Sequence, residues 1–273
     1  MLGELEKVAV EAARAAARVH QSIALKDLRV ESKSSASDLV TRIDREAEAA
    51  LVGVIMGARP DDSIISEEGA SRSGSSAVTW VLDPLDGTAN LVHGHPHYAV
   101  SVGVLVNGKR RLGVVLDSSD GRLYVGVKGR GATCEAAPLT ASHQTELQSA
   151  LVGTGFLPDP VVRVQQAEIL KTVLPKVLDI RRSGSPALDL CSVASGRLDA
   201  YYEFGLGAWD IAAGAVIAEA AGASVLEIEG GSLPSPLLIA GSDALVESLL
   251  SLLKVALKKT LPDGPGFRRR WLP

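Results

Sequence analysis

The stretch from Tyr98 to Val106 constrains the fold of this chain more than any other. Tyr98, Val100, Val102, Val104 and Val106 alternate with smaller residues, and Asn107-Gly108 follows at once. Period-two alternation places the large side chains on one face of a strand, and Asn-Gly is the pair that closes a two-residue hairpin. Leu112 to Leu116 and Leu123 to Val127 continue the meander across Asp120-Gly121. The first half is therefore expected to build a mostly antiparallel sheet. Upstream, Leu5, Val8, Ala12, Ala15, Val19 and Ile23 recur at helical spacing. A second helix is predicted from Asp44 as its cap, with Ala47, Ala50, Leu51 and Val54 on one face. Two helices and a sheet account for residues 1–145, an α+β half.

From residue 146 the rhythm changes. A strand at Ala150–Gly153 precedes a helix from Val161 to Val173. A second strand ends at Ser183, and Ser185-Pro186 opens a helix that stops before Gly196. Leu198–Phe204 reads as a strand and Asp210–Ala221 as a helix. Strands at Val225–Ile228 and Leu237–Ala240 and a helix from Ala244 to Lys258 complete the half. Strands alternating with helices predict a layered α/β unit over residues 146–260. The Pro/Gly/Arg-rich tail, 261–273, is expected to be disordered or loosely docked.

Composition narrows the function. The 273 residues carry a net charge of −4, too little positive field to hold nucleic acid or anionic lipid by charge alone. An anionic substrate would need positive charge from elsewhere, and a bound metal is the obvious source. Cys134 and Cys191 lie far apart, form no ligand or redox spacing, and are expected as buried reduced thiols. No apolar run approaches the ~18 residues of a membrane span. The first residues include Glu4 and Glu6 and lack a basic segment followed by an apolar one, so no secretory signal is expected. The expected compartment is the cytoplasm.

The chemistry concentrates in three acidic segments. The apolar run Val78–Leu82 leads straight into Asp83-Pro84-Leu85-Asp86-Gly87-Thr88. Alone, that hexapeptide is as readily a simple turn. At the end of a buried strand, however, Asp83 and Asp86 at i and i+3 can point to one side with the Leu85 carbonyl between them. Such a hard-oxygen cage suits Mg²⁺. The N–H groups of Gly87 and Thr88, where a helix could begin, can receive phosphate oxygens. Glu67 in Ser66-Glu67-Glu68-Gly69 ends another short strand, and Asp210 stands between Trp209 and Ile211-Ala212-Ala213-Gly214. Alone, Glu67 and Glu68 read as a solvated pair, and Asp210 reads better as an ordinary helix cap. His93, His95 and His97 recur at every second position, but a Mg²⁺ site does not call for imidazole, and no metal is assigned to them.

Together these segments resemble the inositol monophosphatase family. Asp83 to Thr88 is similar to its first signature and Trp209 to Gly214 to its second. Ser66-Glu67-Glu68, and Asp38-Leu39-Val40-Thr41 followed by Asp44, fall in the family's order and spacing. The resemblance covers about residues 5–258. It implies a five-layered α-β-α-β-α sandwich, a homodimer, two or three Mg²⁺ ions and inhibition by Li⁺. It implies that Glu67, Asp83 and the Leu85 carbonyl hold one ion and that Asp83, Asp86 and Asp210 hold a second, with Glu67 sharing a weaker third. Thr88 and Asp44 would activate the attacking water. Gly184, Ser185, Glu203 and Asp210 would face the substrate, and Lys33 matches a lysine near the metal loop.

Some residues depart from the family pattern. Pro186 stiffens the substrate-side helix start, Leu91 replaces a frequent aromatic residue, and Glu135-Ala136-Ala137 lacks the usual turn pair. The implied activity is Mg²⁺-dependent hydrolysis of a small phosphate monoester, with inositol 1-phosphate the leading expectation. Histidinol phosphate, fructose 1,6-bisphosphate and a 3′-phosphorylated nucleotide are the alternatives. An RNA- or transcription-associated binding protein with a vestigial site is the alternative of another class; the acidic balance and the complete ligand set argue against it.

Overall fold

The computed structural model describes residues 1–22, 30–32, 39–230, 233–234, 236–261 and 267–270. The chain opens with α1 (Leu2–Ser22), a small ribbon of β1 (Val30–Ser32) and β2 (Leu39–Thr41), and α2 (Arg42–Ala58). Seven strands follow: β3 (Ser63–Ser66), β4 (Val78–Asp86), β5 (Ala99–Val106), β6 (Lys109–Asp117), β7 (Leu123–Val127), β8 (Gly131–Cys134) and β9 (Ala137–Pro138), with the short α3 (Thr88–Val92) between β4 and β5. They form one sheet in sequence order, parallel only at β3–β4 and antiparallel elsewhere. The predicted hairpin is present. Asn107 and Gly108 both take positive φ, 53° and 72°, as a primed two-residue turn requires.

The second half contributes β10 (Leu151–Thr154), α4 (Pro160–Val173), β11 (Asp179–Arg181), α5 (Pro186–Ala194), β12 (Ala200–Phe204) and α6 (Ala208–Ala220). It ends with β13 (Ser224–Gly230), β14 (Leu237–Gly241), α7 (Asp243–Thr260) and β15 (Phe267–Arg270). The second sheet has the order β11-β10-β12-β14-β13-β15. The expectation of a loose tail is corrected for residues 267–270, whose backbone adds an edge strand antiparallel to β13, with Arg268 opposite Glu229 and Arg270 opposite Glu227.

Five layers result. α1 and α2 cover the outer face of the first sheet, α5 and α6 lie between the sheets, and α4 and α7 cover the outer face of the second. Each interface has its own apolar core, and α6 is buried from Ile211 through Ala218 because both of its sides meet a sheet or α5. The first sheet admits α6 through a row of glycines. Gly103, Gly113 and Gly126 are cross-strand neighbours on β5, β6 and β7. A Cβ on Gly103 would lie 2.6 Å from the Ala212 Cβ, one on Gly113 would lie 2.2 Å from the Ala213 carbonyl oxygen, and one on Gly126 would lie 2.5 Å from the Ile217 Cα. The helix thus rests almost backbone to backbone on the sheet.

Two helix starts differ from expectation. α2 begins at Arg42, so Asp44 is its third residue and is buried; it is not the cap. α6 begins at Ala208, with Asp210 as its third residue. By contrast, Ser185 caps α5 as predicted, accepting a bond from the Leu188 N–H.

The glycine row yields a direct test. Gly113→Ala drives a methyl group into helix backbone, which cannot give way as a flexible side chain would, and should cost about 2 kcal/mol, or roughly 5 °C of thermal midpoint. Gly53→Ala, in α2 with nothing within 4 Å of the added carbon, should leave the midpoint unchanged or slightly higher. Calorimetry giving equal midpoints for the two variants would contradict the close seating of α6.

Candidate metal centre

β4 ends the first sheet's second strand with two acids, and its geometry turns them to one place. The register with β5 slips between Asp83 and Asp86, where Pro84 has no N–H to give the ladder. The Leu85 N–H donates to Asp83 Oδ1 at 3.0 Å, fixing that carboxylate across the bulge. Gly87 then takes φ 91°, and a side chain there would meet the His97 carbonyl at 2.8 Å. From the other half, the third residue of α6 arrives beside them, its carboxylate accepting the Gly207 N–H at 2.6 Å. Asp83, Asp86 and Asp210 each offer an oxygen, and these oxygens all lie within 4.8 Å of one another.

This closeness costs free energy. Burial first, then repulsion from Glu67, Asp86 and Asp210, pushes the Asp83 carboxyl well above its usual range. Asp86 is raised to about 7, again mainly by burial, with bonds from Ser185 and Ala187 partly offsetting it. Asp210 is raised to about 7 by burial and by Asp86, against the Gly207 amide. The largest influences on the three include no arginine or lysine. Asp62, also buried, shows the contrast: Arg59, Ser76 and Trp80 all donate to it, and its pKa falls. Three hard oxygen donors converging without a cationic side chain fit a divalent cation such as Mg²⁺.

The surroundings hold each group. Ser185 Oγ donates to Asp86 Oδ2 at 2.6 Å and the Ala187 N–H to the same oxygen at 2.8 Å, so α5 anchors a ligand of the first half. The Thr88 hydroxyl lies 3.3 Å from Asp44 Oδ1 and 3.0 Å from the Leu85 carbonyl. Glu67 is exposed, in the turn after β3, and its N–H donates to the Leu82 carbonyl at 3.3 Å. The buried Glu48 of α2 ties that turn at both ends, accepting from Ser66 Oγ and from the Ala70 N–H. α3 is a single turn, so its dipole adds little, and the Gly87 and Thr88 amides at its start are the donors that matter.

On the substrate side, Gly184 takes φ 90° beside Asn90 and Arg182. Glu203 is buried and accepts the Tyr201 hydroxyl, with burial raising its carboxyl to about 8. Gly155 leaves it room, since a Cβ there would overlap the Glu203 oxygens at 2.1 Å. Lys33 and Asp38 lie outside the described residues. The histidines at 93, 95 and 97 join no acidic or thiol cluster among the described residues.

Sequence reasoning missed Asn90, Glu48 and Asp189. All three are buried polar residues, and each sits within four residues of a residue that had been singled out. That proximity was the available signal.

The chain is similar to known proteins over most of its length. A sequence profile of the inositol monophosphatase family matches residues 1–260. The inositol-1-monophosphatase SuhB of Mycobacterium tuberculosis is 48% identical over 206 residues, covering 72% of this chain and 71% of that one. The protein of Haemophilus influenzae named Nus factor SuhB is 36% identical over 255 residues, covering 92% and 96%. The crystal structure of the extragenic suppressor protein suhB from Bartonella henselae superimposes with a TM-score of 0.84 at 31% identity, covering 92% and 98%.

The raised carboxyls set the pH dependence of cation binding. Asp86 and Asp210 move from 3.8 to about 7 on folding. The ion-free native state therefore holds protons that the unfolded chain has released, and stability is lost as pH rises from about 4 through 7. An incoming cation must displace those protons below pH 7 but not above it. Added MgCl₂ should raise the thermal midpoint more at pH 8 than at pH 6. Equal gains, or none, would count against a cation site.

Proposed function

The chain belongs to the inositol monophosphatase family, and from that premise we propose that it hydrolyses inositol 1-phosphate to inositol and phosphate with Mg²⁺ as its cofactor. It is a phosphoric monoester hydrolase acting on small phosphorylated substrates. The observation that carries the proposal is the convergence of Asp83, Asp86 and Asp210 from both halves.

In this reading Glu67, Asp83 and the Leu85 carbonyl would hold one ion, Asp83, Asp86 and Asp210 would hold a second, and Glu67 would share a weaker third. When bound, the ions supply positive charge to the phosphoryl and leaving oxygens and acidify the attacking water. The Thr88 hydroxyl, 3.3 Å from Asp44, has a single proton to donate. Giving it to Asp44 leaves its lone pairs to take the proton of the water, with the buried Asp44 carboxylate as the terminal base. The Gly87 and Thr88 amides bind phosphoryl oxygens as charge shifts onto them. Gly184, Ser185, Glu203 and Asp210 face the polyol. A carboxyl raised to about 8 leaves Glu203 protonated at neutral pH, able to donate to a substrate hydroxyl as well as accept from Tyr201. The reading extends to a homodimer, inhibition by Li⁺ and a cytoplasmic location; no helix among the described residues is long and apolar enough to cross a membrane.

A second reading comes from the relative named Nus factor, with which nearly the whole chain aligns. A role in transcription would use the outer surface and leave the acidic cluster without a purpose. A net charge of −4 gives RNA little general attraction. A gel shift with structured RNA at physiological salt, combined with absent phosphatase activity, would favour it.

Two measurements test the enzyme. Asp83→Asn should lower kcat roughly a thousandfold while leaving the circular dichroism spectrum unchanged; a folded variant with normal turnover refutes the assignment. A panel of inositol 1-phosphate, histidinol phosphate, fructose 1,6-bisphosphate and a 3′-phosphorylated nucleotide with Mg²⁺ should give the highest kcat/KM for the first. A clear preference for another member replaces the substrate but keeps the chemistry.

A further inference from the structure

The metal-bearing and substrate-bearing loops belong to different halves, and one side chain joins them. Asn90 lies in α3, one turn beyond Asp86, and is 7% exposed. Its Nδ2 donates to the His97 carbonyl at 2.6 Å and to the Ser183 carbonyl at 2.9 Å. An amide nitrogen carries two protons, and each goes to a backbone acceptor in a different half. The Asn90 main chain is committed as well: its N–H donates to the Gly87 carbonyl at 2.8 Å, and its carbonyl accepts the His95 N–H at 2.8 Å. The residue is thus tied at three points to the first-half segment 87–97 that follows Asp86.

The far end of this contact is the loop Ser183-Gly184-Ser185. A Cβ on Gly184 would lie 3.1 Å from Asn90 Nδ2 and 3.3 Å from Oδ1, so the loop rests directly on the amide. The next residue, Ser185, sends its hydroxyl back to Asp86. A closed circuit results: Asp86, the turn at Gly87, Asn90, Ser183, Ser185 and Asp86 again. We propose that Asn90 is a positioning residue that registers the substrate-side loop against the metal-side turn, acting through Ser185 and the Gly184 backbone. This rests on the reading of the site as a polyol phosphatase.

Alanine at position 90 leaves the His97 and Ser183 carbonyls without those donors and frees the loop to shift. Removing only a fold-stabilising contact would lower the thermal midpoint and leave the kinetics of the folded enzyme intact. Removing a registering contact changes KM selectively.

The test compares wild type, Asn90→Ala, Ser185→Ala and the double variant at saturating Mg²⁺ with inositol 1-phosphate and with phenyl phosphate, whose leaving group has no hydroxyls for the loop to meet. Asn90→Ala should raise KM for inositol 1-phosphate about tenfold and for phenyl phosphate much less. The double variant should lose no more kcat/KM than Ser185→Ala alone, because the two act in one circuit. Additive losses, or equal effects on both substrates, would overturn the proposal. Asn90→Ser, which keeps one donor, carries the same comparison with a smaller expected effect if the alanine variant does not fold. Wild type failing to hydrolyse either ester would defeat the phosphatase reading itself. Normal wild-type turnover with an unaltered Asn90→Ala KM would defeat only the latch.

Discussion

The approach of α6 to the first sheet is the contact on which the rest depends. A helix packed on a sheet of ordinary residues stands about 10 Å away, because side chains fill the space between. Here Gly103, Gly113 and Gly126 remove those side chains in a row, and Ala212 and Ala213 present little from the helix. The first turn of α6 is carried inward with the rest of it, and the Ser101 hydroxyl donates to the Trp209 carbonyl at 3.2 Å to pin that turn. Asp210 can then meet acids on the end of β4. The glycines lie between ten and forty residues from the acidic turn in sequence, and their effect is felt there through a rigid helix.

The convergence is electrostatically unfavourable by itself. A protein optimised only for stability would place a cation beside buried acids, as it does at Asp62 and Arg59. At Asp83, Asp86 and Asp210 the donors that approach are hydroxyls and amides, which orient the carboxylates without neutralising them. Neutral donors leave the set attractive to an external cation, whereas an arginine would compete with it. The repulsion comes from holding three buried carboxyls close together without a cationic side chain, the arrangement that the proposed cation site would use.

How much of this was legible beforehand follows from the range of each signal. The β5–β6 hairpin was readable because Asn107-Gly108 and the valine alternation are local. The acidic cluster was readable because Asp83, Asp86 and Asp210 sit in segments whose order resembles a family; spacing alone left Asp83 and Asp86 open to a simple turn and Asp210 to a helix cap. The helix starts of α2 and α6 were placed late, because Asp44 and Asp210 look like caps although each is the third residue of its helix. The edge strand β15 was missed since Phe267–Arg270 is polar and follows a Pro/Gly run, and its pairing partner β13 lies some forty residues away. The burial of Glu203 was not legible for a similar reason: it depends on Gly155 and Tyr201, neither of which marks it in sequence.

The division of labour between the halves has a further consequence. On the proposed reading, phosphoryl chemistry would depend on β4, the turn at Gly87 and one helix start, while contact with the alcohol would depend on Gly184, Ser185 and Glu203 in the second half. If these were independent, the second half could drift toward any alcohol without disturbing the first. Ser185 prevents that, because the same hydroxyl that caps α5 also fixes Asp86. A change in the loop that moved Ser185 would misplace Asp86, so on that reading variation in alcohol preference would be confined to side chains that do not move this backbone. Glu203, buried against Tyr201 and seated over a glycine, is one such position; Pro186, which fixes the start of α5 in its helical φ, reinforces the constraint. Selectivity in this architecture is expected to change by substitution within a held frame and not by reshaping it.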